Sequence, residues 1–236
     1  MKINTKRVLI LSDLHIPAEH PSAYDFLSAI NKQFKPTYVI SIGDILDVAS
    51  IQASRPNSPI VDSPILELSK TRKKLKKYQK LFPKLDITIG NHDLRVRRKA
   101  ELNGIPADFL KDFNQLLDIE ADWKWHDKVI LKIDGQDWYF THNFKRDVLQ
   151  SAKELGCSFV SGHFHTQYSL SMTSSPSKLI TAISCGCLID PHHPAFEYQK
   201  TFIKRPVIGT AIIDNGVGKL IPMPLKNNKW TGNLVI

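Results

Sequence analysis

Five short apolar runs in this chain each stop at a cluster of glycine, aspartate, asparagine or histidine, and this recurrence restricts the possible folds more than any other feature. The central case is Ile87-Thr88-Ile89, followed by Gly90-Asn91-His92-Asp93. A β-branched run that ends on glycine predicts a strand meeting a sharp turn, because glycine accepts positive φ and close backbone approach. Val8-Leu9-Ile10-Leu11 leads into Ser12-Asp13-Leu14-His15, and Tyr38-Val39-Ile40-Ser41-Ile42 leads into Gly43-Asp44-Ile45-Leu46-Asp47. Farther on, the run at 137–141 ends at His142, and Ser158-Phe159-Val160-Ser161 ends at Gly162-His163-Phe164-His165.

Helical patterns separate the first of these strands. Ala23, Phe26, Leu27 and Ile30 predict a helix running to about Phe34, with Ser22 as its cap and Asp25 completing a capping box. After a polar loop at 54–59, Ser63-Pro64 reads as N-cap and first residue of a second helix. Strand, helix, strand, helix, strand predicts parallel βαβ units. The second half differs. Helices are expected over 94–100, 106–117 and 145–155, with Asn103-Gly104 separating the first two. Asp134-Gly135 predicts a hairpin between 129–133 and 137–141. Strands are expected at 168–172, 179–184 and 208–213, the last pairing with 219–221 across Asn215-Gly216. Residues 1–236 are expected to form one domain.

Composition excludes some classes. Hydrophobic content of 42% and charged content of 23% are those of a globular protein. No apolar run approaches the ~20 residues of a membrane helix, and the first one reads as a strand ending at Asp13. Cys157, Cys185 and Cys187 make no even disulfide framework, which fits a reducing cytoplasm, and Cys185-Gly186-Cys187 lacks the second pair of a zinc site. They read as small buried residues. The net charge of +9 is concentrated in Lys70, Arg72, Lys73, Lys74, Lys76, Lys77 and Lys80. Leu68, Leu75, Tyr78 and Phe82 take the other side of that helix. Its basic side is either a solvated face or a surface for phosphate-rich polymers, nucleic acid among them.

The carboxyl ends of parallel strands line one edge of a sheet, where ligands bind. Five strand ends can thus bring Asp13, His15, Asp44, Asn91, His92, His142, His163 and His165 together. Clustered carboxylates and imidazoles need something positive between them. Oxygen and imidazole donors without thiolate suit manganese, iron or zinc better than calcium or magnesium alone. Two such ions, roughly 3.5–4 Å apart, activate water and stabilise charge on a phosphoryl group.

The series Asp13-x-His15, Gly43-Asp44-x-x-Asp47, Gly90-Asn91-His92-Asp93, His142 and Gly162-His163-x-His165 resembles the calcineurin-like metallophosphoesterase superfamily. The resemblance implies a four-layer α/β/β/α sandwich, two mixed sheets flanked by helices, with the last strands in the second sheet. It also implies two divalent metal ions, manganese foremost, with iron, zinc or nickel as alternatives. Asp13, His15 and His165 would hold the first ion and Asn91, His142 and His163 the second, with Asp44 bridging. His92 would contact the substrate phosphate or protonate the leaving oxygen, its ring oriented by Asp93. Asn143 stands where the family often has glycine, which makes the local geometry of His142 a point to check.

Arg95, Arg97 and Arg98 follow the central motif, and Arg95 is the candidate to join Asn91 and His92 in binding phosphate. The expected reaction is attack of a metal-bridging hydroxide on a phosphomonoester of nucleotide or phosphoprotein type. A phosphodiesterase or nuclease acting on DNA or RNA is the alternative, and a non-catalytic nucleic-acid-binding scaffold is the third reading. His126, His192 and His193 lie outside the strand-end pattern, the His192-His193 loop is a candidate cover for the site, and His20 is expected to be solvated.

Overall fold

The run Arg7-Val8-Leu9-Ile10-Leu11 forms strand β1 (Arg7–Leu11) in a computed structural model that describes residues 6–51, 62–175, 178–196 and 203–235. Helix α1 (Ala23–Phe34), strand β2 (Tyr38–Ser41), helix α2 (Pro64–Leu81) and strand β3 (Lys84–Thr88) follow. Then come α3 (Arg95–Leu102), α4 (Phe113–Leu117) and β4 (Asp122–His126). Strands β5 (Val129–Ile133) and β6 (Gln136–Thr141) make the hairpin, and α5 (Val148–Leu155) leads into β7 (Ser158–Ser161). Strand β8 (Tyr168–Ser175) pairs with β9 (Lys178–Cys185), and β10 (Gly209–Asp214) with β11 (Val217–Pro222). Two short strands, β12 (Leu225–Lys226) and β13 (Lys229–Trp230), pair last. The polar loop expected at 54–59 lies outside the described residues.

Two mixed sheets result. One has the order β11-β10-β1-β2-β3-β4, parallel from β1 to β4; the other has the order β5-β6-β7-β9-β8, parallel from β6 through β7 to β9. Side chains alternate across a strand, and both faces of β1 are covered, so it is apolar throughout. Val8, Ile10, Ile40 and Ile42 meet Ile133, Trp138, Phe140 and Val160 between the sheets. Leu9, Leu11 and Ile87 face the other way, onto Phe26, Leu27 and Ile30 of α1 and Leu75 and Tyr78 of α2. Val148 and Ala152 of α5 cover Phe159 and Ala182 on the far side of the second sheet. At ~1.5–3 kcal/mol per fully buried large apolar side chain, these layers dominate the stability of the fold. The order is α/β/β/α.

Several local expectations need correction. Strands β10 and β11 extend the first sheet beside β1 and do not join the second. Strand β4 is absent from the sequence expectation, although Trp123 and Trp125 alternate there with charged residues. The helix expected over 106–117 is broken. Leu110 is extended, and the Asp112 carboxylate accepts from the Gln115 N–H at 2.8 Å, starting a new helix. Asp147 does the same for α5, accepting from the Gln150 N–H at 2.9 Å, so the helix begins at Val148 and not at 145. No capping box forms at α1, because the Ser22 hydroxyl accepts from the Trp230 N–H instead. Ser63 does cap α2, with Pro64 in its first turn. His20 is fully buried, its Nδ1 accepting from the Ser22 N–H.

The basic helix spends much of its charge locally. Lys70 lies 2.7 Å from Asp62, and Lys74 reaches Glu19 at 3.0 Å and the Pro17 carbonyl. Arg72 donates twice to the Leu116 carbonyl, and Lys77 sits over the Tyr24 ring. Lys73, Lys76 and Lys80 are exposed and have no partner among the described residues. No described helix is long and apolar enough to cross a membrane.

Candidate metal centre

Register brings the strand ends level. Leu11 lies opposite Ser41 and Ser41 opposite Ile87 in the first sheet, and Thr141 lies opposite Ser161 in the second. Asp13, Asp44 and Asn91 therefore leave one sheet along the same edge at which His142 and His163 leave the other. The turns touch where only glycine fits. A Cβ on Gly90 would fall 2.1 Å from Asp44 Oδ1, and one on Gly162 would fall 2.2 Å from Asp13 Oδ1.

Two groups of donors face each other. In the first, His165 Nε2 lies 3.1 Å from Asp13 Oδ2 and 3.1 Å from His15 Nε2. In the second, Asn91 Oδ1 lies 2.9 Å from His142 Nε2 and 2.8 Å from His163 Nδ1. Asp44 Oδ2 stands between them, 3.5 Å from His15 Nε2 and 3.2 Å from His142 Nε2. Asp13, His15 and His165 form one group able to hold an ion, and Asp44, His142 and His163 another. The structure thus brings together all seven residues expected from the sequence to bind metal, His142 included despite the Asn143 that follows it.

The residues fit divalent cations on four counts. Asp13 Oδ1 is buried without a hydrogen-bond partner among the described residues, a costly state for a carboxylate oxygen. Imidazole nitrogens face each other at 3.1 Å and 3.2 Å, where two lone pairs repel unless a cation or proton intervenes. Neighbouring donors around one ion at roughly 2.1 Å stand about 3 Å apart, close to the separations seen. Oxygen and imidazole donors make up both groups, and no thiol belongs to either.

Buried partners set the tautomers. His142 Nδ1 donates to the Ile42 carbonyl at 2.9 Å and His15 Nδ1 donates to Asp47 Oδ1 at 3.0 Å, so the Nε2 of each ring faces the centre. Burial, with the nearby charge of His92, lowers the His15 pKa to about 4, leaving the neutral imidazole that a metal requires. Burial also opposes charge on His142, yet the adjacent Asp44 carboxylate pushes that pKa up to about 10. Burial likewise works against the Asp44 carboxylate, and His142 outweighs it, holding Asp44 well below the usual range. A cation placed here would displace the proton this pair shares.

Asp47 is the residue whose part the sequence did not disclose. Its Oδ1 accepts from His15 Nδ1 and from His92 Nδ1, each at 3.0 Å, and its backbone carbonyl accepts from His92 Nδ1 and from Arg95 Nη1. Burial pushes the Asp47 pKa up, but the two imidazoles outweigh it and keep the carboxylate ionised. Asp93 does not orient His92, contrary to expectation: its carboxylate is turned to the Gly90 and Leu46 amides at 2.8 Å and 3.0 Å. Burial and the Asp44 charge raise the Asp93 pKa to about 7. It braces the turn that carries Asn91 and His92. Asp47→Asn is expected to weaken metal affinity about 10–100-fold, the usual effect of removing an outer partner of a ligating histidine. Titration of the metal-free protein with Mn2+ measures it.

His92 lies at the rim of the first group, its ring 4.3 Å from that of His15. Both of its nitrogens are engaged, Nδ1 with Asp47 and Nε2 with Arg95 Nη2 at 3.0 Å. Arg95 is thus in the site. The loop bearing His192 and His193 also reaches it, by way of Phe196, a buried ring 5.4 Å from that of His15; His192 itself is exposed. His126 is bound to Asp86 at 2.6 Å and stands apart from the centre, and Cys185 and Cys187 are buried while Cys157 is partly exposed.

The chain belongs to the calcineurin-like phosphoesterase family, which matches residues 6–177. Among solved structures it is similar to an archaeal phosphodiesterase, at 18% identity over 92% of this chain and 99% of that one, with a TM-score of 0.52. It is also similar to Vps29 of Chaetomium thermophilum, at 12% identity over 97% of this chain and 94% of that one, with a TM-score of 0.51. At these identities the likeness is one of fold. No match is found among curated proteins. Members of the family typically bind divalent metals, and the two donor groups could hold them.

Proposed function

We propose that this chain is a phosphoesterase with a dinuclear centre, hydrolysing small phosphate esters. The observation that carries this reading is Asp44 Oδ2 standing between two complete donor groups. Asp13, His15 and His165 would hold one divalent ion, and Asn91, His142 and His163 the other, with Asp44 shared. Manganese suits these donors, with iron, zinc or nickel as alternatives. When bound, the ions supply an activated water and neutralise phosphoryl charge.

The chain's own residues do the rest. Arg95, with its guanidinium at His92 Nε2, is placed to grip a phosphate oxygen through its planar fork. A substrate that draws Arg95 onto phosphate leaves His92 Nε2 for the departing oxygen, while Asp47 holds the other nitrogen. Burial opposes charge on His92, but the Asp47 and Asp44 carboxylates outweigh it, so Nε2 once freed from Arg95 takes up a proton from solvent and gives it to the leaving oxygen.

Nucleic acid is the weaker substrate reading, because four of the seven cations around α2 are tied to protein acceptors or an aromatic ring. Beside the monoester expected from the sequence, a diester is the substrate we favour, because a partly exposed aromatic, Phe164, packs edge-on against His163 of the second donor group. Protein reconstituted with Mn2+ is expected to hydrolyse bis-p-nitrophenyl phosphate faster than p-nitrophenyl phosphate and to leave single-stranded DNA largely uncut. Efficient strand cleavage would reinstate the basic helix as a track. No turnover of any of the three, with both ions bound, would favour the scaffold reading.

A further inference from the structure

Phe164 sits between His163 and His165 in sequence, and the roles given to His92, Arg95 and Asp47 do not involve it. It packs against none of the three apolar clusters of the described residues and is only partly exposed. Its ring meets the His163 ring edge-on at 4.8 Å, and the Arg146 guanidinium lies 5.9 Å from its centroid. Arg146 is exposed and belongs to the loop that follows His142. On its other side Arg146 lines a separate open cleft of about 470 Å³ between α5 and β8, which Phe164 does not line. Gln167 is joined to Phe164 directly, its N–H donating to the Phe164 carbonyl at 2.7 Å.

Position gives this rim its meaning. His92 lies against His15, with ring centroids 4.3 Å apart, whereas Phe164 lies against His163. His15 and His163 belong to different donor groups, with Asp44 between them. A phosphodiester has two organic substituents. If one departs at His92, the other extends toward the opposite end. An aromatic face backed by a guanidinium suits a planar aromatic group, since rings stack on such a face without base-specific hydrogen bonds.

We infer that Phe164 and Arg146 form a subsite for the retained substituent of a phosphodiester, and that this substituent carries a planar aromatic ring such as a nucleobase. The inference rests on the phosphoesterase reading for its reaction and on the rim alone for its specificity. Hydrolysis leaves the retained group attached to phosphate as a monoester, while the other substituent departs as its alcohol with a proton.

Two chromogenic diesters with the same leaving group test it: thymidine 5′-(p-nitrophenyl phosphate) and methyl p-nitrophenyl phosphate. Mn2+-loaded wild-type protein is expected to prefer the thymidine ester in kcat/KM, mainly through a lower KM. Phe164→Ala should reduce that preference about tenfold, the scale of one base–aromatic stack, and Phe164→Tyr should restore it. An unchanged preference in Phe164→Ala, or one that Phe164→Tyr fails to restore, overturns the subsite. Binding separates this from failure of the phosphoesterase reading. If neither ester turns over, the subsite still requires thymidine 5′-monophosphate to bind the Mn2+-loaded wild type more tightly than inorganic phosphate. It also requires that advantage to shrink in Phe164→Ala, and equal binding overturns it.

Discussion

Asp44→Asn is expected to empty both metal positions and to lower turnover by at least about a hundredfold, since even an outer partner of a ligand is worth 10–100-fold. The reason is positional. Asp44 Oδ2 faces His15 Nε2 at 3.5 Å and His142 Nε2 at 3.2 Å, one in each donor group. An amide nitrogen in its place brings N–H bonds toward donors that need a cation. The fold should survive, because the remaining amide oxygen can still accept from the His92 N–H, which Asp44 Oδ1 now does at 2.8 Å. Metal content per chain and thermal stability, measured on one preparation, check both halves. A variant that keeps one ion would confine Asp44 to a single position, and a fully metallated, active variant would refute the bridge.

His92→Ala should act in the opposite way, cutting turnover about 10²–10⁴-fold, the range for loss of a general acid or base, while two ions remain bound. His92 lies close enough to His15 and Asp44 to be counted with them as a possible donor group. Its nitrogens, however, are directed to Asp47 and Arg95. Metal analysis therefore decides between two roles. Retained ions with slow turnover identify a residue acting on the substrate, and loss of an ion would make it a ligand. In the first case kcat should fall more than KM rises, because Arg95 remains to bind phosphate.

The strand ends were legible because parallel strands covered on both faces read as continuous apolar runs, which makes the residue where each run stops easy to see. The same applies to the hairpins, where Asp134-Gly135 and Asn215-Gly216 carry positive φ at both positions. What escaped was set by contacts between distant segments. Asp47 and Asp93 are both acidic residues beside a motif, and only the path of the chain after β2 turns Asp47 toward His15 and His92. That path is held from elsewhere, as the Glu67 carboxylate on α2 accepts the Ala49 and Ser50 amides at 2.8 Å and 3.0 Å. His20 looked solvated because its cover, the segment of Leu188 and Ile189, arrives from far along the chain. Ser22 had the composition of a capping box, but its hydroxyl was taken by Trp230.

Each donor group draws on both sheets. Asp13 and His15 follow β1 while His165 follows β7; Asn91 follows β3 while His142 and His163 follow β6 and β7. An ion in either position would be a rivet across the seam between the sheets, set at its outer edge. Binding would then clamp the apolar layer of Ile10, Ile42, Phe140 and Val160, so occupancy and the closeness of the two halves become one thermodynamic variable. Any change that lets the halves slide, however far from the ligands, would be felt at the centre as a change in bite.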